Sequence, residues 1–200
     1  MPAEGGLFRR EWFKIVDAAP PGIRWARFWD CAAKTGQIND YTAGAKLGRH
    51  ADGRWFLAGM ARGRWEYPDA KHIVLQTAAA DGREVGLGIE DSSSGTPLIQ
   101  DLRRGSVGQR YAVRAVKVAV DKAVRAAPWA AQAEAGLFHL VQGEWVNNFL
   151  DEIASFPMGA HDDQVDAVSG AYEMHLTGGG RPRFGTLARD TGVTSTAARG

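Results

Sequence analysis

Three aspartates, Asp162, Asp163 and Asp166, fall within five positions in the stretch HDDQVDA. Carboxylates spaced this way do one of two things. They accept hydrogen bonds from the free N–H groups of a helix's first turn and complement its dipole, or they supply oxygen ligands to a hard divalent cation. Winding residues 159–176 at about 100° per residue places Asp163 on the stripe of Ala167, Gly170, Ala171 and Met174, the small apolar face suited to packing inward. Asp162 and Asp166 fall beside that stripe with Ser169 and Glu173. A carboxylate at the end of a packing face is costly unless a positive group meets it. No Lys or Arg occurs between 126 and 180, so another segment brings a cation or a metal ion does. Capping and ligation both stay open on this stretch alone.

Two acids elsewhere in the chain stand at the ends of apolar runs. Asp30 closes IRWARFWD, and Glu90 closes EVGLGIE. Both runs read as strands. If the two strands are adjacent and parallel, their ends lie about 5 Å apart, and carboxylates at that spacing, joined by Asp163, repel strongly in a low-dielectric site. Divalent cations remove the repulsion. Mg2+ and Mn2+ prefer oxygen ligands and keep positions for water and phosphate. Two such ions about 4 Å apart can generate the attacking hydroxide and stabilise the leaving alkoxide of phosphodiester hydrolysis. Taken singly, Asp30 also suits a turn, and Glu90 with Asp91 also suits the cap of a following helix. His161, beside the aspartates, fits a metal or phosphate contact and equally the opening of its helix.

The elements that must position these acids are legible in outline. Residues 1–22 read as a lead-in ended by the breaker APPG. The strand over 23–32 is followed by two strands within 41–65, turned at ADG, which predicts a meander. A helix is expected over 67–82, with Pro near its start and Gly at its end. A short buried strand ending at Glu90 comes next, then a helix at TPLIQDLRR and a strand or sheet edge at YAVRAVKV. DKAVRAAPWAAQAEAGLF reads as mostly helical with a break near Pro128. EWVNNFLDEIASFP reads as an amphipathic helix stopped by Pro157, and HDDQVDA opens the last helix. Residues 178–200 have the composition of a flexible tail. The order implies an α/β fold: a mixed sheet, a three-strand antiparallel meander plus parallel strands, flanked by helices, over 23–177.

Two hundred residues at 44% hydrophobic content suffice for one substantial core. With 24 basic and 23 acidic residues, overall charge argues neither for nor against a nucleic-acid partner. A single cysteine, Cys31, excludes an internal disulfide and a cysteine metal cluster. No apolar stretch is long enough to span a bilayer, so a soluble, intracellular protein without a membrane partner is expected. Charge is uneven, however. Arg103, Arg104, Arg110, Arg114, Lys117, Lys122 and Arg125 face only one acid, Asp121, over 103–125. Such an island is a solvated face in an arbitrary protein, but beside a carboxylate site it suits phosphate binding. Lys34, soon after Asp30, joins it as a phosphate contact. The seven tryptophans read mostly as core.

The stretches RFWDCAAKTGQINDYTAGAKLG, GIEDSSSGTPLIQDLR, DKAVRAAPWAAQAEAG and FLDEIASFPMGAHDDQVDAVSGA resemble, in that order and spacing, the C-terminal nuclease domain of the large terminase subunit of tailed bacteriophages. GGLFRREWF resembles the segment that joins this domain to its ATPase motor, and the likeness covers about residues 5–177. It implies an RNase H-like fold and a metal-dependent endonuclease, using Mg2+ or Mn2+, that cuts concatemeric double-stranded DNA during packaging in the cytoplasm of the bacterial host. It also implies the ATPase domain, the small terminase subunit and the portal as partners. By the same resemblance the catalytic acids fall on Asp30, Glu90 and the cluster Asp162, Asp163 and Asp166. Junction resolvases of related fold carry an Asp-x-x-Asp pair that matches Asp163 and Asp166, and the helical wheel ranks Asp163 first. No G-x-x-x-x-G-K-[ST] phosphate loop occurs, so ATP hydrolysis and translocation are not expected of this chain by itself.

Two other readings compete. Another RNase H-fold nuclease, such as a Holliday-junction resolvase, would prefer branched DNA. A non-catalytic DNA-binding or docking module would use the acids only as helix caps and cleave nothing.

Overall fold

A computed structural model describes residues 6–31, 41–92, 95–105 and 111–178. Its strands are β1 (Lys14–Val16), β2 (Arg24–Asp30), β3 (Thr42–Arg49), β4 (Trp55–Gly63), β5 (Gly86–Glu90), β6 (Val113–Val116) and β7 (Phe138–Val141). Its helices are α1 (Tyr67–Asp81), α2 (Gly95–Arg104), α3 (Lys122–Glu134), α4 (Val146–Ser155) and α5 (Asp163–Leu176). The strands form one sheet in the order β1-β7-β4-β3-β2-β5-β6. β2, β3 and β4 make the expected antiparallel meander. β5 runs parallel to β2 and β6 parallel to β5 on one side, with β7 parallel to β4 and β1 parallel to β7 on the other.

Alternation along β2 divides the core in two. Ala26 and Phe28 face the cluster covered by α3, α4 and α5, whereas Trp29 faces the cluster covered by α1 and α2. β5 repeats the pattern, with Leu87 and Ile89 on the α1–α2 side and Gly88 beneath Met174 of α5. α5 lies directly on β2 and β3. Its close approach needs Gly170, where an added Cβ would come within 2.2 Å of the Phe28 ring.

One charged side chain crosses this packing. Arg27, only 6% exposed, gives Nε and Nη2 to the Asp81 carboxylate at the end of α1, and Nη1 to the carbonyl of Gly44 at 2.9 Å. Lys46 adds a second cation 3.0 Å from Asp81. Burial pushes the Asp81 carboxyl up, but its bonds to Arg27 and Lys46 more than offset this and hold it below the usual range. Asp81→Ala would leave the Arg27 guanidinium buried without its anion, and a loss of about 3 kcal/mol in urea unfolding is expected. Because Asp81 is depressed in the folded state, the pair's contribution is present at neutral pH. It fades as pH falls below the ordinary carboxylate range, so the gap between wild type and variant should narrow in acid.

Within the stretch read as a lead-in, the described residues pack on the domain: β1 extends the sheet, Phe8 stacks on Trp129 with centroids 4.1 Å apart, and Leu7 donates to the Phe156 carbonyl. Apolar spacing at Leu7, Phe8 and Phe13 was too sparse to signal a core element before its partners were known. One sequence expectation, the break near Pro128, is corrected: α3 runs unbroken through it. The carbonyl that loses its donor belongs to Val124, a residue 60% exposed, where water can replace the bond, while buried Trp129 pins the next turn by donating to Ser169 at 2.9 Å. The stretch is mostly helical as expected, and it ends in a turn: Gly136 reverses the chain at φ 71°, and Phe138, its last residue, opens β7. The expected tail lies, from residue 179, outside the described residues. Among the described residues no helix is long and apolar enough to cross a membrane.

Candidate active site

β2 and β5 end together. Their register pairs Trp29 with Ile89, so the next residues, Asp30 and Glu90, stand side by side at the same end of the sheet. Two carboxyls set side by side on neighbouring strand ends repel each other when both are ionised. Burial, then the negative charges of Glu90 and Asp166, and then that of Asp163, hold the Asp30 carboxyl well above its ordinary range. The same surroundings push the neighbouring Cys31 thiol up to about 12, through burial first and then the charges of Asp30 and Glu90. Asp91 turns away from this pair, accepting from the Thr96 hydroxyl at 2.7 Å in the first turn of α2.

The third group of acids opens α5, and the structure decides between capping and another role. Asp162, at the N-cap position, makes no side-chain capping bond. The cap comes from α4 instead. Glu152 accepts from the N–H groups of Gln164 at 2.8 Å and Val165 at 3.2 Å, and from Nε2 of Gln164 at 2.7 Å. Its side chain is 5% exposed. Burial raises its carboxyl above the usual range despite those bonds and the Arg62 charge. With the cap supplied from outside, Asp162 and Asp166 are available for something else.

Cations from two other elements meet them. Lys122, at the start of α3, lies 2.7 Å from Asp162 and 3.2 Å from Asp166, and Arg125 lies 3.5 Å from Asp166. Arg62 of β4 lies 3.5 Å from Asp163 and 3.3 Å from Glu152. Even so, burial pushes Asp166 up to about 6, and its Oδ1 has no hydrogen-bond partner. The helical wheel ranks Asp163 as the inward acid, and the structure buries Asp166 more deeply. The Asp166 side chain is 7% exposed and that of Asp163 16%, because α5 is enclosed by the sheet, α3 and α4 and has no single inward stripe.

The sequence-derived phosphate contacts fare unevenly. Lys122 and Arg125 point at the aspartates rather than away from them. Arg103 donates to the Val113 carbonyl and Arg114 to the Thr177 hydroxyl, while Arg104 and Lys117 are exposed. Lys34 and Arg110 lie outside the described residues. His161 meets Tyr41 edge-on with centroids 5.1 Å apart. Three residues that matter at the site, Arg62, Glu152 and Gln164, carry no sequence signal. An Arg in a strand and a Glu in an amphipathic helix read as surface until the tertiary fold buries them. Arg62 and Gln164 also line a groove of about 630 Å3 on the Asp163 side.

Among the described residues no three His, Cys, Asp or Glu side chains are arranged to hold a metal ion as they stand. Their chemistry nevertheless suits a hard cation. The donors are all carboxylate oxygens, one of them is buried without a hydrogen bond, and the Asp30 carboxyl is raised chiefly by burial and by its anionic neighbours.

This sheet order, with acids from β2, β5 and the start of α5 drawn to one end, defines an RNase H-like fold with an acidic site. The terminase RNaseH-like domain family model matches residues 27–175, and the chain belongs to that family. Among solved structures, the large terminase nuclease of thermophilic phage G20c with bound magnesium is similar at a TM-score of 0.62 and 15% identity, over 86% of this chain and 98% of that one. The human cytomegalovirus terminase nuclease domain gives 0.58 and 15% over 75% and 82%, and the Thermus phage P74-26 large terminase nuclease domain 0.57 and 13% over 85% and 95%. None of the curated proteins matches. Family membership supports a nuclease role in phage DNA packaging.

Proposed function

We propose that this chain cuts concatemeric double-stranded DNA as a metal-dependent endonuclease during phage genome packaging. The observation that carries the reading is the crowding of Asp30 against Glu90 and the α5 acids, with Asp166 Oδ1 buried and making no hydrogen bond. A protein that used these groups only as caps has no reason to bear that repulsion, since Glu152 already caps α5. Asp30, Glu90, Asp163 and Asp166 would hold the ions, two of Mg2+ or Mn2+, with Asp162 at the margin. Structures of the G20c nuclease with bound magnesium, cobalt and zinc, and of the cytomegalovirus domain soaked with manganese, support a divalent ion in this family. Bound there, such ions neutralise the acids, activate water and stabilise the leaving oxygen.

The chain's own residues do the rest. Lys122 keeps Asp162 and Asp166 charge-balanced and, with more than half its side chain exposed, can turn to a phosphate. Arg62 fixes Asp163 against Glu152. Exposed Arg104 and Lys117, with Arg103, Arg114, Lys34 and Arg110, would position the DNA backbone without reading bases. An ATPase motor preceding this domain, the small terminase subunit and the portal are the partners this role calls for, in the host cytoplasm. Nothing observed favours a junction resolvase or a non-catalytic module.

The test is plasmid nicking and linearisation in Mn2+, Mg2+ and EDTA, with Asp30→Ala and Asp163→Ala beside the wild type. Cleavage that needs metal and is lost in both variants is expected. A folded chain that binds DNA but cuts in no metal would reject the reading.

A further inference from the structure

The groove beside Asp163 has a chemistry that the acidic site does not use. Met60 and the half-buried Trp145 supply apolar wall, and the exposed Asn148 amide supplies a polar edge whose NH2 group can donate, its oxygen being taken by Arg62 and the buried Gln164. Arg62 lies under the Tyr41 ring, 3.7 Å from its centroid, and donates to Asn148 Oδ1 at 3.1 Å. Gln164 donates to the same oxygen at 3.0 Å. The groove therefore has a braced polar edge and a flat apolar side within one wall of the acids, since Arg62 touches Asp163 and Tyr41 touches His161.

Charge decides what fits. Arg62 is already matched by Glu152 and Asp163, and Glu144 adds a further negative charge to the lining. A phosphate would enter against that excess. A neutral, planar group with hydrogen-bonding edges would not, and the volume of about 630 Å3 lies in the range of pockets that take such groups. We infer that the groove receives an unstacked nucleobase from the DNA strand lying at the acidic site, stacked beside Trp145 and met along its edge by the amide of Asn148. This rests on the nuclease reading above and adds to it a requirement: the duplex must open locally where it is cut. Extruding a base from a paired duplex costs a few kcal/mol, and less where the base is already unpaired.

The consequence is measurable without metal. The whole chain is titrated in EDTA, by fluorescence polarisation, against a labelled duplex that is fully paired and against the same duplex carrying one mismatched pair. Affinity about tenfold higher for the mismatched duplex is expected. That preference should disappear in Asn148→Ala, on the exposed face of α4, and in Trp145→Leu, which keeps apolar volume but removes the flat ring. Equal affinity for the two duplexes, or a preference that survives in the folded Asn148→Ala variant, overturns the inference. Plasmid cleavage, scored separately, keeps the two readings distinct: cleavage without preference rejects only the groove, and preference without cleavage rejects only the nuclease.

Discussion

Asp30→Asn is expected to abolish cleavage and, in the absence of metal, to raise the melting temperature by a few degrees. The loss of activity should reach at least about a thousandfold, equivalent to about 4 kcal/mol, because the amide can neither carry the charge that draws a cation nor replace it. The gain in stability follows from the same charge. Asp30 has its carboxyl raised by burial and by Glu90 and Asp166. A folded-state value above the unfolded one means that the chain is stabilised while Asp30 is protonated and loses that stabilisation as pH rises through the raised value. Asn keeps the shape without the charge. In a chain of this size each kcal/mol moves the melting temperature by about 2–4 °C. The difference should shrink as pH approaches 4, where Asp30 is increasingly protonated in the unfolded chain as well. Calorimetry across pH, beside the plasmid assay, checks both halves. A variant that melts lower than wild type at neutral pH would show that Asp30 is held for structure rather than for function.

Glu152→Ala is expected to be the most damaging single change to stability, at about 4–5 kcal/mol in urea unfolding. Three residues lose a partner at once. The N–H groups of Gln164 and Val165 are left unmet at the start of α5, Gln164 loses its side-chain bond, and Arg62 loses the nearer of its two acids. Each buried donor left unmet costs about 1–3 kcal/mol, two backbone N–H groups bear that cost together, and Arg62 keeps only Asp163. Glu152→Gln keeps an acceptor for the backbone and should recover much of the loss. If activity per folded molecule falls in Glu152→Gln, Glu152 positions Asp163 through Arg62. If it does not, its role ends at the cap.

Much of this was legible before any tertiary contact was known. Strands ending at Asp30 and Glu90, the meander between 41 and 65 and the helix opening at Asp163 each follow from local pattern, because alternation, turn residues and caps act over a few positions. The strand at Phe138–Val141 and the passage of α3 through Pro128 were not legible, for the same reason. Four residues carry little periodicity, and tolerance of a proline depends on whether the orphaned carbonyl reaches water.

For the site the division is equally physical. The sequence by itself determined which acids exist, that they end strands or open a helix, and that no local cation answers the α5 cluster. The tertiary structure alone decided their relations. It made Glu152 the cap in place of Asp162, brought Lys122, Arg125 and Arg62 to the aspartates, and enclosed Asp166 more deeply than Asp163. Charge and hydrogen-bond energies depend on distance and burial, and a chain's order of residues contains neither until it folds.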